Sequence, residues 1–220
     1  LSAFAAEGAV WLKPHALALN IVVVLLGLYH YGRQGYLNLR LILPFAITSV
    51  PFSYLGAYLP IVEWLFDTLL SLTLLWAAWR LMTTLDSTTE VSGPPTAVTA
   101  LATGAALGFV SGLVGVGGGI FLSPVLMLKG WATAKETAAA SALFILVNSV
   151  AGLGGAFASG QAQFDGDLMV QFTAAVLIGG FLGTRLGANH ASDQTIRRLL
   201  VVVLIVAALR RVAGLLGLWP

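Results

Sequence analysis

Glycine is concentrated in one short segment of the chain, GLVGVGGGIFLSP, where five of the first eight residues are glycine. Glycine adopts positive φ angles without steric cost and lets the backbone approach a ligand closely. The N–H groups that begin a helix carry the positive end of its dipole and bind anions. We therefore predict that Gly117, Gly118 and Gly119 form an anion site together with the start of a short helix.

The composition indicates a membrane protein. Hydrophobic residues make up 58% of the chain and charged residues 9%, whereas a soluble domain carries roughly a quarter charged residues. The net charge of +2 does not indicate a nucleic-acid surface. The chain has no cysteine, so disulfides and cysteine-ligated metals are excluded.

Apolar segments of about 17–25 residues, long enough to cross the bilayer as helices, follow one another along the chain. They are 14–31, 41–59, 61–82, 97–115, 136–158, 168–188 and 195–217. The apolar segment 119–128 is too short to cross alone, and segment 83–96, rich in Thr, Ser and Pro, has the composition of a linker. We predict an all-α integral membrane protein with about seven spanning helices and one short, re-entrant half-helix.

Close helix packing is the alternative role for glycine, because small residues let membrane helices approach each other. The spacing of Gly104, Gly108 and Gly112 favours that role for these three. Gly115 and Pro124 are predicted to form the structural turn around the short helix. The segment does not match a nucleotide-binding loop, because no Lys-Ser/Thr follows the glycines.

The two halves of the chain, 1–82 and 97–220, repeat each other in the same order. KPHALA (13–18) aligns with KETAAA (135–140), Gly35 with Gly160, LGAYL (55–59) with LGTRL (182–186), and LLWAAWRL (74–81) with LIVAALRR (204–211). Matches in one order indicate an internal duplication, which many secondary transporters contain. Segment 83–96 is then a cytoplasmic linker between two repeats.

The distribution of basic residues predicts the orientation of the repeats, because Lys and Arg are most frequent on cytoplasmic flanks. Arg33 and Arg40 follow the first predicted helix, whereas the corresponding loop of the second half has acidic and no basic residues. Most of the 11 basic residues are cytoplasmic if 97–115 and 119–128 form a hairpin that enters and leaves on that side. The sequence thus predicts two inverted repeats.

Polar side chains within the predicted spans are costly there, so each is a candidate for substrate contact. The candidates besides the glycines are Ser123, Ser141, Asn148, Asn20 and Arg185. An interhelical hydrogen bond is the alternative role for Asn148, and a bond to the helix backbone is the alternative for Ser141. The Arg185 guanidinium reaches either the cytoplasmic interface or a site for an oxyanion.

Other kinds of active site find little support in the sequence. No histidine lies at the middle of a predicted span, mid-span carboxylates are not paired, and the histidines are not clustered. Ser111 stands in GFVSG, which is not the spacing of a serine nucleophile. We expect no catalytic residues, metal or cofactor; an intramembrane hydrolase and a non-transporting scaffold are the alternative functions.

The glycine segment and the helices after it resemble a known family. The stretches GFVSGLVGVGGGIFLSPVLML, KETAAASALFILVNSVAG and GGFLGTRLGA are similar to those of the TauE/SafE family of sulfite and organosulfonate exporters. The resemblance covers essentially the whole chain, and in the family each half opens with a G-x-G-G-G…P hairpin and an A-x-x-S helix. The second half matches at Gly115, Gly117, Gly118, Gly119, Pro124, Ala138 and Ser141.

The first half departs from the family pattern. It lacks the glycine hairpin, and Leu19 stands where the serine equivalent to Ser141 is expected. We expect the gene product to contain residues before Leu1 that form this hairpin.

The resemblance implies an exporter of a small sulfur-containing or organic anion, such as sulfite or an organosulfonate. Alternating access between the inverted repeats would move the anion across a bacterial or archaeal inner membrane. The expected partners are this anion and the lipid bilayer, without nucleic acid. H⁺ and Na⁺ are the candidates for a coupling ion. The sequence is compatible with a homo-oligomer and does not define the oligomeric state.

Overall fold

The computed structural model describes residues 8–60, 93–160, 162–163 and 165–192, together with scattered positions between 62 and 79 and between 194 and 206. The regular elements in this part of the chain are all α-helices. They are α1 (Gly8–Arg33), α2 (Leu39–Tyr58), α3 (Ala97–Val114), α4 (Gly119–Leu128), α5 (Ala134–Ala158) and α6 (Gly166–Asn189).

Five of these helices are long and apolar enough to cross a membrane, and α4, with ten residues, is not. The predicted all-helical membrane class is therefore confirmed. The predicted spans 61–82 and 195–217 and the linker 83–96 fall largely outside the described residues. The total number of spans and the repeat layout stay predictions.

The first helix begins at Gly8, earlier than the sequence predicted, and contains Pro14. Membrane helices tolerate proline where neighbouring groups compensate for the missing hydrogen bond. His15 Nδ1 lies 2.7 Å from Trp11 O, and His15 Nε2 accepts the Asp165 N–H at 3.0 Å. These bonds hold the proline-containing turn of α1 against the start of α6.

The glycines spaced by four on α3 pack against α2, as their spacing predicted. A Cβ on Gly104 would meet the carbonyl oxygen of Phe45, and one on Gly108 would meet that of Ser49. Because the residue numbers rise together along both helices, α2 and α3 run parallel. Their backbones approach so closely that no side chain fits between them.

The central helices α1 and α5 run antiparallel. A Cβ on Gly27 would lie 3.6 Å from Ala142 Cβ, and one on Gly152 would lie 3.2 Å from Leu17 Cδ1. The later residue of α1 thus lies beside the earlier residue of α5, as antiparallel helices require. Around this pair, α2 packs against α5 and α6 packs against α1.

Gly108→Ala is expected to lower the free energy of unfolding by about 1–3 kcal/mol, because the added methyl has to displace the α2 backbone. Gly179→Ala on α6 is the matched control, since nothing lies within 4 Å of its Cβ position. Alanine is the better helix former by about 0.8–1 kcal/mol. Thermal unfolding of both purified variants measures the difference, and equal midpoints would contradict the close contact of α2 and α3.

Candidate functional site

Residues 115–118 join α3 to α4 in a turn that we call the glycine turn. Gly115, Gly117 and Gly118 have φ angles of 72°, 77° and 81°, in the left-handed region that favours glycine. Gly119 follows as the first residue of α4. The connection between the two helices therefore requires glycine at three of its four positions.

Side chains of α5 occupy the space that larger residues would need at the glycine turn. A Cβ on Gly117 would lie 2.7 Å from Ile145 Cγ2 and 2.9 Å from Ser149 Oγ. A Cβ on Gly118 would lie 2.7 Å from Phe144 Cε1. Both backbone conformation and space thus restrict these positions to glycine.

The start of α4 has hydrogen-bond donors that the helix does not use. The first N–H groups of a helix have no partner within it, and no side chain caps α4. The N–H groups of Phe121 and Leu122 donate to Gly118 O at 3.1 Å. Within the described residues, the N–H groups of Gly119 and Ile120 make no hydrogen bond. These two donors lie at the positive end of the helix dipole.

Polar side chains from three helices surround the glycine turn. Asn20 Nδ2, on α1, donates to the backbone of the turn at 3.1 Å. Ser149 Oγ, on α5, lies 2.9 Å from the Cβ position of Gly117, and Ser111 Oγ, on α3, lies 3.1 Å from that of Gly118. The structure therefore brings Asn20 to the predicted site and adds two serines to it.

Several buried polar atoms of α3 and α5 have no hydrogen-bond partner among the residues that the structure describes. Ser111, Asn148 and Ser149 are all 0% exposed. Both serine hydroxyls and both polar side-chain atoms of Asn148 are unpaired. Asn148 lies one helical turn after Phe144, whose ring contacts Gly118. Because buried polar groups are nearly always paired in native proteins, this cluster is suited to a ligand.

Ser123 and Ser141 are also brought together, but they bond to each other. Ser123 Oγ donates to Gly119 O at 2.8 Å, and Ser141 Oγ lies 2.8 Å from Ser123 Oγ. A hydroxyl has one proton to donate, so Ser141 is the donor within the pair. Both protons are engaged inside the protein, and either hydroxyl can donate to a ligand only after it rotates.

Pro124 lies inside α4 and not in the glycine turn, so its predicted place in the turn was wrong. Proline has no N–H and interrupts the hydrogen bonds of a helix interior. The Ser123 hydroxyl adds a bond to Gly119 O on the same turn of α4. Pro124 thus weakens the interior of the half-helix instead of shaping its start.

A buried lysine packs against the glycine turn. Lys13 Cγ lies 2.8 Å from the Cβ position of Gly115, and the Lys13 side chain is 5% exposed. In the sequence, Lys13 was recognised only as a match between the two repeats. Lys13 directly precedes the predicted apolar segment 14–31, where a lysine commonly reaches the membrane interface, so the sequence alone did not indicate its burial.

Arg185 lies away from the glycine turn. It lines a separate cavity with Tyr29 and Arg33 at the end of α1. Asn20 precedes Tyr29 by nine residues, which is about 14 Å along the helix at about 1.5 Å per residue. The structure therefore separates Arg185 from the other candidate side chains.

A cavity of about 700 Å³ reaches α4 from the side of α6. Its mostly apolar wall includes Ser123 of α4, Thr137 of α5 and Gly187 of α6. Thr137 Oγ1 is buried and has no partner in the described part of the chain. The cavity thus extends from the first turn of α5 to the serine pair.

The polar groups at the glycine turn suit an anion more than a cation. No group of three or more His, Cys, Asp or Glu that could hold a metal ion occurs in the described ranges. The groups at the turn are backbone N–H groups, hydroxyls and side-chain amides, which can donate to an anion.

Comparison with known proteins identifies the family. A model of the family described as "Sulfite exporter TauE/SafE" matches residues 9–211. The chain belongs to the TauE/SafE family. The resemblance predicted from the glycine segment is thereby confirmed, and this TauE/SafE member is a multi-pass membrane transporter.

A curated relative supports the same assignment. The chain is 37% identical over 203 residues to the "Probable membrane transporter protein y4hK" of Sinorhizobium fredii (strain NBRC 101917 / NGR234). The alignment covers 90% of this TauE/SafE chain and 81% of the relative. No solved structure matches the chain.

Proposed function

We propose that this transporter carries a small oxyanion, such as sulfite or an organosulfonate, and binds it at the glycine turn. One observation carries the proposal: the buried, unpaired hydroxyls of Ser111 and Ser149 lie beside the turn that leads to the unused N–H groups of α4. The unpaired amide of Asn148, next to Ser149 in α5, supports it. The description of the matching family as a sulfite exporter supports the substrate class.

Neutral donors bind an oxyanion by replacing its water, and they hold it weakly enough for release. Each hydrogen bond to a charged group contributes about 1.5–3 kcal/mol, and a helix start contributes about 0.3–2 kcal/mol. Desolvation and ordering offset part of this sum. The remainder corresponds to roughly micromolar to millimolar affinity, which suits a site that has to empty in every cycle.

Alternating access between two inverted repeats, 1–82 and 97–220, is the proposed mechanism. Two approaches of α1 to α5 support it, since a Cβ on Gly27 would lie 3.6 Å from Ala142 Cβ and one on Gly152 would lie 3.2 Å from Leu17 Cδ1. Leu17 and Ala142 are 125 residues apart, and so are Gly27 and Gly152. The two approaches therefore join the same two equivalent positions of the repeats. A two-fold axis that exchanges α1 with α5 gives this pair of approaches. Because α1 and α5 run antiparallel, that axis lies in the membrane plane.

The cavity of about 700 Å³ beside Ser123 is the proposed cytoplasmic entrance. It opens near the first turn of α5, which follows the basic residue Lys129. The serine pair separates this cavity from the glycine turn, so its rearrangement would accompany substrate entry. Export across the cell membrane is the proposed direction, in keeping with the family description.

Transport by purified protein tests the function directly. We expect proteoliposomes loaded with sulfite or methanesulfonate to exchange the radiolabelled anion several-fold faster than protein-free liposomes. Glucose should not exchange, because a neutral sugar offers no negative charge to the N–H groups at the start of α4. If neither anion moves faster than in protein-free liposomes, the proposal is wrong for these substrates, and a non-transporting role gains support if further oxyanions also fail.

The inverted arrangement predicts opposite labelling of two loops. The chain has no cysteine, so Gln34→Cys and Gln163→Cys, both at exposed positions, each introduce one reactive thiol. In intact cells, a membrane-impermeant maleimide should label Gln163→Cys and not Gln34→Cys. Permeabilised cells are the control, in which both variants should react. Equal labelling of both in intact cells would rule out the inverted repeats.

A further inference from the structure

A second polar cavity, of about 450 Å³, lies where α1 and α6 end. The two helices run parallel, because Gly180 lies against Val23 and Gly187 lies against Tyr31. Their C-terminal ends therefore reach the same face of the membrane. We call this cavity the arginine pocket, and its walls include Tyr29, Arg33, Gln34, Phe181, Arg185 and Asn189.

Aromatic rings hold the two guanidinium groups of the arginine pocket. Arg33 Nη1 donates to Tyr29 Oη at 2.7 Å, and Arg33 Cζ lies 5.4 Å from the centre of the Tyr29 ring. Arg185 Cζ lies 5.9 Å from the centre of the Phe181 ring. Cation–π contacts orient a guanidinium without neutralising its charge. Among the described residues, no Asp or Glu lines the cavity.

A hydrogen bond between the helix ends makes the arginine pocket a preformed site. Gln34 Nε2 donates to Asn189 Oδ1 at 2.6 Å, and Asn189 Nδ2 donates to Arg185 O at 3.0 Å. The loop after α1 is thereby joined to the last turn of α6. A ligand that bridges both arginines meets a frame that is already assembled, which reduces the cost of ordering.

The charge of the arginine pocket is positive even though two helices end there. Each helix C-terminus contributes a partial charge of about −0.5. The two guanidinium groups together contribute two full positive charges. The balance favours an anion, and the planar N–H forks of arginine match the oxygens of a phosphate or sulfate group.

We propose that the arginine pocket binds a tetrahedral oxyanion of the phosphate or sulfate type, to which both arginines donate. Two sources can present this group at the membrane interface, the headgroup of an anionic lipid and a free anion. The exposed Leu182 and Leu186, on the same helix as Arg185, provide apolar surface for the acyl chain of a lipid. The pocket lies apart from the glycine turn, so this site is independent of the proposed transport site.

Thermal unfolding of the full chain in detergent tests the proposal and distinguishes the two sources. One arm adds phosphatidylglycerol and compares it with phosphatidylcholine. The other arm adds sodium sulfate or phosphate and compares it with sodium chloride at equal ionic strength. Binding to the folded protein raises the unfolding midpoint. We expect the Arg33→Gln/Arg185→Gln variant to lose most of this shift, and Arg40→Gln, which removes an exposed arginine outside the pocket, to keep it.

Each outcome decides the question. A shift with phosphatidylglycerol alone identifies a lipid headgroup, and a shift with sulfate or phosphate identifies a free anion. If the double variant fails to fold, the single variants Arg33→Gln and Arg185→Gln replace it. Each should weaken binding by roughly tenfold or more, the effect of losing one hydrogen bond to a charged group. Wild-type protein without a shift in either arm, or a double variant that responds like the wild type, would overturn the proposal.

Discussion

Gly118→Val is expected to abolish transport while the helical bundle stays folded. Gly118 has a φ angle of 81°, and a β-branched residue in this region is strained by about 1–3 kcal/mol. Its Cβ would lie 2.7 Å from Phe144 Cε1 and 3.1 Å from Ser111 Oγ. The turn has to move away from both, and the N–H groups at the start of α4 move with it. The measurement is anion exchange in proteoliposomes, with size-exclusion chromatography to confirm folding.

Gly35→Val provides the matched control. Gly35 has a similar φ angle, 77°, but nothing lies within 4 Å of its Cβ position. The valine there adds the same backbone strain without a collision and outside the glycine turn. We expect it to lower the unfolding midpoint and to leave transport near the wild-type rate. If Gly118→Val also transports at the wild-type rate, the glycines serve packing alone.

The glycine turn could be predicted from the sequence because glycine is the residue type that adopts the positive φ angles of such a turn. A run of glycines beside an apolar segment too short to cross the bilayer indicates a broken helix, and α4 begins at Gly119 as predicted. The packing of Gly108 on α2 was equally predictable, since a spacing of four places small residues on one face of a helix.

The side chains around the turn were harder to predict, because their roles depend on partners distant in sequence. Ser123 and Ser141 were both candidates, but their mutual bond follows from the packing of α4 on α5. The sequence raised Ser111 only as a serine nucleophile with the wrong spacing, and its place beside Gly118 follows from the turn that joins α3 to α4. Lys13 lies near the start of an apolar segment, and only the glycine turn packed against it distinguishes a buried lysine from an interfacial one.

Arg185 shows how packing determines the surroundings of a side chain that the sequence leaves open. Its position in the last turn of a predicted span was compatible with the interface and with the substrate site. The parallel contact of α6 with α1 places it beside Arg33 at the helix ends. No pattern within α6 alone contains this information, because the neighbouring helix is far away in the sequence.

Asn148→Leu is expected to weaken substrate binding by tenfold or more without destabilising the fold. Asn148 is 0% exposed, and its amide oxygen and nitrogen both lack a partner among the described residues. Leaving buried polar groups unpaired costs about 1–3 kcal/mol, and leucine, which has the same branching, removes that cost. The unfolding midpoint of the substrate-free variant should therefore be equal to or higher than that of the wild type.

Substrate binding by the Asn148→Leu variant, in contrast to its stability, should become weaker. If the Asn148 amide donates to the bound anion, its loss removes at least about 1.4 kcal/mol of binding free energy, which is tenfold in affinity. The measurement is the concentration of sulfite or sulfonate that gives half-maximal exchange in proteoliposomes. Asn148→Ala is the second variant, because its smaller side chain avoids overpacking if leucine does not fit.

Ser53→Ala is the control that separates a binding role from a structural one. Ser53 is also buried, but its hydroxyl is satisfied, since it donates to Asn148 O at 3.0 Å. Its removal should lower the free energy of unfolding by about 0.5–1.5 kcal/mol and leave the half-maximal concentration unchanged. The two variants thus have opposite expected effects on stability and on binding. An Asn148→Leu protein that is destabilised but binds its substrate normally would assign Asn148 to the packing of α5 and remove it from the site.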